Sequence, residues 1–404
     1  MSTAGERDRV LSGMRPTGRL HLGHYHGVLK NWARLQNEYD SFFFVADWHA
    51  LTTHYEDPEI MAANVWDMVI DWLAAGIDPD RATLFIQSRI PQHAELHLLL
   101  SMVTPLGWLE RVPSFKDQQQ RLKDRNLATY GFLGYPLLQS ADILMYRASW
   151  VPVGEDQVPH VELTREIARR FNHIFGKDAE FEEKAEQAVN QLGKQAARSF
   201  RAARQSWLQN GDETARQGAR ELLEAGRNLG AEEKERLLGY LEGGGRTILT
   251  EPEALLTRDS KLSGLDGQKM SKSYNNTINM RDDPDRVAGA IRTMPTDPAR
   301  KRRNDPGDPD KCPVWDLHQI YTEDTVREQL AAGCRSAGIG CLDCKRPLID
   351  AVMEEQVALH ERARPYEEDP GQVRAIIDEG CARAEAVAAE TLREVRDVVG
   401  TVYS

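Results

Sequence analysis

Cysteine is absent from the chain before residue 312, and all five cysteines lie in the last part of its 404 residues. That distribution excludes a small secreted domain stapled by disulfides. Long hydrophobic runs are also lacking, which excludes a stretch of about 18 apolar residues able to span a membrane. The opening MSTAGERDRV has no apolar core of a secretory signal, so the sequence is read as cytoplasmic, with no membrane partner. Nor is there a basic excess: 51 Lys and Arg face 63 Asp and Glu, a net charge of −12. An RNA-binding chain of this composition must rely on local basic patches. Arg300-Lys301-Arg302-Arg303 is the densest run, equally readable as a solvated loop.

What is present supports sizeable cores. The length implies two or three domains and 41 % of the residues are hydrophobic. Through the first half, strand and helix signals alternate. Val10-Leu11 precedes a turn-rich run from Ser12 to Gly18, then a helix carries Leu29, Trp32 and Leu35. Phe42–Ala46, Ala82–Ile86 and Trp150–Gly154 read as buried strands, with helices between them from Pro58 and from Pro136 to Tyr146. Such alternation predicts an α/β fold, a Rossmann-like doubly wound parallel sheet. Its ligands bind at the carboxyl ends of the strands.

Residues 177–246 change to Ala, Glu, Gln, Arg and Lys. Their apolar stripe, from Ala188 through Phe200 to Trp207, predicts a two- or three-helix insertion that carries no chemical constellation. The expected division is a catalytic domain over 1–176, the insertion over 177–246, the catalytic domain continued over 247–285, and a helical domain over 286–404.

Two segments carry chemistry. His21-Leu22-Gly23-His24 sits after the first strand and turn, at the start of a helix. A helix N-terminus favours phosphate, a glycine admits an adenine ring, and two imidazoles three apart can donate to phosphate oxygens. Alone, the tetrapeptide is equally a pair of surface or metal-binding histidines. Lys269-Met270-Ser271-Lys272-Ser273 follows a glycine-rich turn. Two ammonium groups and two hydroxyls on a loop suit the charge that develops on a pyrophosphate leaving group; alone, they are a solvated lysine loop. Gly154-Glu155-Asp156-Gln157 closes a strand with a glycine, carboxylates and an amide.

In this order and separation the two segments resemble the HIGH and KMSKS signatures of class I aminoacyl-tRNA synthetases. The resemblance narrows to the tryptophanyl enzymes through Ala46–Ala50, Leu109-Glu110-Arg111, Tyr135-Pro136, Ala141–Leu144 and Val151–Gln157, and covers nearly the whole chain outside the insertion. It implies a ligase that activates L-tryptophan with ATP and Mg2+ and charges tRNA(Trp), as a homodimer with an anticodon-binding domain over 286–404. The catalytic groups it implies are His21, His24, Lys269 and Lys272. ATP contacts would come from Arg15, Gly23, His24, Lys116, Gly154, Glu155, Asp156, Lys269, Met270, Ser271, Lys272 and Ser273. The tryptophan pocket would be Leu11, His49, Tyr135, Gln139, Asp142, Ile143, Val151, Val153 and Gln157, with Asp142 accepting the indole N–H. Arg15, His24 and Gln139 depart from many bacterial relatives, which carry Gln, Asn and Met there.

A buried carboxylate aimed at one N–H donor is left unpaired by phenylalanine, so such a pocket discriminates by roughly 10⁴–10⁵ without editing. Asp142 could otherwise be a helix-surface or capping acid. Rival readings are a tyrosyl enzyme, whose pocket needs partners for a phenol oxygen, a non-catalytic RNA-binding paralogue, and an iron–sulfur redox sensor.

Cys312, Cys334, Cys341 and Cys344 are separated by 21, 6 and 2 residues. A subset of the family carries a [4Fe-4S] cluster on a nearly identical pattern, here one residue shorter in the first gap. Four thiolates also suit tetrahedral zinc, and buried inert thiols remain a third reading. Cys381 stands apart on a helical pattern and reads as a packed thiol.

Overall fold

The computed structural model describes residues 7–56, 59–112, 129–177, 179–225, 229–257 and 262–403. Strand β1 (Arg9–Met14) leads through a turn to α1 (Leu22–His24), a π-helical turn (Tyr25–Leu29) and α2 (Lys30–Leu35). Then come β2 (Asp40–Val45), α3 (Asp47–His54), α4 (Glu59–Ala74), β3 (Ala82–Ile86), α5 (Gln92–Ser101) and α6 (Leu106–Glu110). Helix α7 (Tyr130–Met145), β4 (Trp150–Val153) and α8 (Val158–Phe175) follow. The insertion contributes α9 (Ala179–Gln191), α10 (Lys194–Asn210), α11 (Glu213–Ala225) and α12 (Ala231–Leu241). After β5 (Glu253–Leu256) the chain is helical: α13 (Pro284–Thr293), α14 (Pro313–Tyr321), α15 (Asp324–Arg335), α16 (Cys341–Glu368) and α17 (Pro370–Val399).

The strands form one five-stranded parallel sheet in the order β3-β2-β1-β4-β5. Every residue of β3, and all of β2 after Asp40, is buried. Burial on both faces is what a parallel sheet flanked by helices requires, and it explains why these strands are continuous apolar runs. Among the described residues no helix is long and apolar enough to cross a membrane.

Three local expectations are corrected. Ser12-Gly13-Met14 is strand rather than turn, because the Met14 carbonyl accepts the Ala46 N–H at 2.9 Å. Helix α7 begins at Tyr130, not Pro136: Thr129 caps it by accepting the Phe132 N–H, and Pro136 is tolerated inside. Among the described residues, 177–246 form four helices rather than two or three. Its single apolar stripe is cut at Gly193, whose φ of +85° no L-residue adopts readily. Strand β5 carries no apolar alternation and is recognisable only by its parallel register with β4, from Trp150↔Glu253 to Val153↔Leu256.

The chain divides into two compact units. The first comprises the chain up to Ser12, Phe85–Leu256 and the chain from Cys381 onward; the second comprises Gly13–Leu84 and Thr257–Gly380. Within the first, the insertion has its own core, with Val189, Phe200, Trp207, Leu223, Leu237 and Leu241 fully or nearly fully buried. Within the second, one core gathers Leu22, Met270, Ile278, Ile291, Val314, Leu317 and Leu348.

Candidate active site and cysteine cluster

The two signature segments meet inside the second unit. Leu22 N–H donates to the Ile278 carbonyl at 2.9 Å, Met280 N–H donates to the Leu20 carbonyl at 2.9 Å, and His21 pairs with Asn279 in an antiparallel bridge. Leu22 and Met270 belong to the same core, which explains an apolar methionine inside an otherwise polar loop. Gly23 is required locally. A Cβ there would lie 2.9 Å from the His21 imidazole, so any larger residue displaces a signature side chain.

The imidazoles of His21 and His24 have ring centroids 3.8 Å apart. Burial, and then the charge of Lys272, lower the His21 pKa to about 4. Burial, then His21 and Lys272, lower that of His24 as well. Both rings are therefore neutral at pH 7. His24 Nδ1 accepts the His21 N–H at 3.2 Å, which fixes its proton on Nε2 as a single outward donor. The His21 Nδ1 is buried without a hydrogen-bond partner among the described residues. The pair supplies hydrogen bonds, and positive charge comes from elsewhere.

That charge sits on the second signature. Lys269 is exposed, and Ser271 and Lys272 are half-buried. Lys272 Nζ donates to the Gly18 carbonyl at 2.6 Å, and burial lowers its pKa to about 8. Asn276, which sequence reasoning passed over, organises the loop. Its Oδ1 accepts the Ser271 N–H at 2.8 Å, and its Nδ2 donates to Asp266 at 2.6 Å and to the Lys269 carbonyl at 3.2 Å. Arg281, also unforeseen, is buried against Asp71 at 2.6 Å with Asp67 and Glu367 around it, anchoring the segment behind the loop to α4 and α16. Arg15 is exposed and His49 half-buried in this unit. Lys116 and the Ser273 side chain lie outside the described residues.

The remaining predicted residues belong to the first unit. Tyr135, Gln139 and Asp142 follow helical spacing along one face of α7, the first two half-buried and Asp142 only 1 % exposed. The tyrosine ring lies 5.7 Å from that of His160 on α8. Leu11, Ile143, Val151 and Val153 are buried. Gly154 follows the carboxyl end of β4, and a 3₁₀ turn carries the exposed Glu155 and Asp156 with Gln157, whose amide donates to Asp156 at 3.0 Å. Asp142 is no surface or capping acid. Its carboxylate accepts from Gln87 at 2.8 and 3.0 Å and from His93 at 2.6 Å. Neither partner had a signal in the sequence.

Cys312, Cys334, Cys341 and Cys344, each half-buried, line one cavity with Arg300, His318 and Lys345. Arg300 lies 3.8 Å from the Cys334 sulfur and His318 3.6 Å from that of Cys344. Burial raises the Cys344 thiol to about 12, with further push from the other three. Among the described residues no three His, Cys, Asp or Glu side chains are grouped so as to hold a metal ion. Cys381 is buried, as expected of a packed thiol.

A parallel sheet followed by a helical C-terminal part, with the HIGH-like and KMSKS-like segments packed in one core, defines a class I aminoacyl-tRNA synthetase. The chain matches the family of class I tRNA synthetases for W and Y over residues 3–192 and 220–355. It is 62 % identical to a tryptophan–tRNA ligase of Ralstonia nicotianae, covering 98 % of this chain and 99 % of that one. It is 41 % identical to the tryptophan–tRNA ligase of Thermotoga maritima, over 98 % and 100 % of the two. A crystal structure of the tryptophanyl-tRNA synthetase from Campylobacter jejuni with ADP and tryptophan superposes with a TM-score of 0.72 at 27 % identity, covering 97 % and 99 %. The chain belongs to the tryptophan–tRNA ligases.

Proposed function

We propose that this chain activates L-tryptophan with ATP and transfers it to tRNA(Trp). A tryptophan carboxylate oxygen attacks the α-phosphorus, the bond to the β-phosphate oxygen breaks, and pyrophosphate leaves with Mg2+. The terminal adenosine hydroxyl of the tRNA then attacks the adenylate carbonyl, and AMP departs. The observation that supports this most is the packing of Leu22 and Met270, one from each signature segment, in one core, together with the 62 % identity to a tryptophan–tRNA ligase.

In this reading Arg15, Gly23, His24, Lys116, Gly154, Glu155, Asp156 and Lys269–Ser273 bind ATP. Neutral His21 and His24 hydrogen-bond phosphate oxygens, and Lys269 and Lys272 stabilise the leaving pyrophosphate. Leu11, His49, Tyr135, Gln139, Ile143, Val151, Val153 and Gln157 enclose tryptophan, with Asp142 as acceptor of its indole N–H. Residues 286–404 read the anticodon, and 177–246 are an insertion outside the chemistry.

For the four cysteines the first reading is a [4Fe-4S] cluster, carried by their spacing, with zinc as the alternative. Four soft thiols face one space, and Arg300 and Lys345 offset the charge of a thiolate-bound cluster. Cys312, Cys334, Cys341 and Cys344 would hold it, and it would staple the helical segments rather than do chemistry. A homodimer is supported by Leu98, Met102, Leu106 and Tyr130, which are 54 to 71 % exposed on α5, α6, α7 and the turn after α5. The cell compartment in this reading is the reducing cytoplasm, where such thiols persist.

The test is charging of total tRNA with radiolabelled tryptophan. Acid-precipitable label on one tRNA species with tryptophan, and none with tyrosine, is expected; no label with either amino acid contradicts the reading.

A further inference from the structure

Asp142 is surrounded by three polar side chains that are themselves fully buried. Gln87 forms the turn just past the carboxyl end of β3, His93 opens α5, and Tyr146 follows α7; Gln87, His93 and Tyr146 each have no exposed surface. Gln87 Nε2 donates to both carboxylate oxygens, His93 Nδ1 lies 2.6 Å from Oδ1, and His93 Nε2 lies 2.7 Å from the Tyr146 hydroxyl. Tyr146 is held by its backbone too, its carbonyl accepting Arg9 Nη1 at 2.8 Å.

The order of protons follows from the chemistry of the groups. An ionised carboxylate only accepts, so His93 Nδ1 carries the hydrogen. With the Nδ1 hydrogen committed to Asp142, His93 Nε2 and the Tyr146 hydroxyl make the next hydrogen bond of the chain. The Gln87 amide and the His93 ring point at Asp142, with Tyr146 behind His93, and the carboxylate cannot turn without breaking these bonds. If the four residues only had to hold β3, α5 and α7 together, apolar side chains of the same volume would serve as well or better, because burying a charge is costly. A ligand-facing role for the acid accounts for keeping it there.

We infer that Gln87, His93 and Tyr146 are positioning residues that hold Asp142 ionised and in one orientation, making it a fixed acceptor for the single N–H of the substrate ring. The inference rests on the reading of Asp142 as the indole acceptor. It adds the residues that give the pocket its preference for a ring with an N–H donor over one of the same shape without it.

The experiment is ATP–pyrophosphate exchange on the full chain with L-tryptophan and with its benzothienyl isostere, in which sulfur replaces the ring N–H. Gln87→Met and His93→Leu should lower kcat/KM for tryptophan by roughly 10- to 100-fold. The isostere should change less than about threefold, so the preference for tryptophan collapses while the KM for ATP stays put. His93→Asn keeps an N–H near the Nδ1 position and should restore most of the preference. Tyr146→Phe, which preserves the ring, should lower it about threefold and serves if the leucine variant does not fold. Asp142→Asn separates the two levels. If that variant keeps the preference, the indole-acceptor reading itself falls. If Asp142→Asn loses it but folded Gln87→Met and His93→Leu retain it, or lose both substrates equally, the positioning role is overturned.

Discussion

The ammonium of Lys272 lies 2.6 Å from the carbonyl oxygen of Gly18, on the turn that enters the histidine signature. A cation of the second signature thus rests on the first. In the proposed reaction, it trades the Gly18 carbonyl for phosphate oxygens as the leaving group forms. Such an exchange contributes little to ground-state ATP binding and much where charge builds on the leaving group. Lys272→Ala should lower kcat for ATP–pyrophosphate exchange by about 100-fold or more and change the KM for ATP by less than about threefold. An effect confined to KM would make Lys272 a uniform binder.

The same lysine gives a pH dependence. Burial and the nearby Arg15 lower its pKa to about 8 against the opposing pull of Asp71. Below pH 8 it is charged, and above it the charge is lost while ATP stays anionic. The kcat for exchange should therefore fall as pH rises from 8 to 9.5, with bound ATP moving the midpoint upward because it favours the charged form. Lys272→Arg stays charged throughout and should flatten that fall in kcat. A wild-type kcat that is flat to pH 9.5 would contradict this.

The insertion is predicted to be separable. Its ends meet, since Arg246 N–H donates to the Gly176 carbonyl at 2.8 Å, and its helices pack on their own core. Removing 177–245 and joining the ends with a short Gly-Ser linker should keep exchange within about threefold of the full chain. Some loss of thermal stability is expected, because Arg169 of α8 stacks 4.1 Å from the Trp207 ring. Abolished exchange in a deletion protein with a cooperative melt would place chemistry in the insertion.

How much was legible beforehand depended on whether a signal was local. β2 and β3 were readable because both faces of a parallel strand are buried, so the run itself is apolar. The signature histidines and lysines were readable by residue type and spacing. Asn276, Arg281, Gln87 and His93 were not. Arg281, Gln87 and His93 act through partners far away in the chain, as Arg281 does on Asp71, Asn276 acts on its own irregular loop, and a lone buried polar residue has no local pattern. β5 escaped because its strand character comes from pairing with β4 rather than from its own composition.

The cysteine cavity makes a prediction about composition rather than activity. Anaerobically purified protein should be brown, absorb broadly near 400 nm and carry about four irons per chain. Serine at Cys312 or Cys344 should remove both iron and colour. Stoichiometric zinc without iron would favour a Cys₄ zinc site, and neither metal would leave four packed thiols.

The most direct measurement is amino-acid-dependent ATP–pyrophosphate exchange, run side by side with tryptophan, tyrosine and phenylalanine on the wild type and on Asp142→Asn. The account predicts exchange with tryptophan alone, and a fall of about 100-fold in its kcat/KM in the variant. Exchange driven by tyrosine, or a variant as active on tryptophan as the wild type, would contradict it.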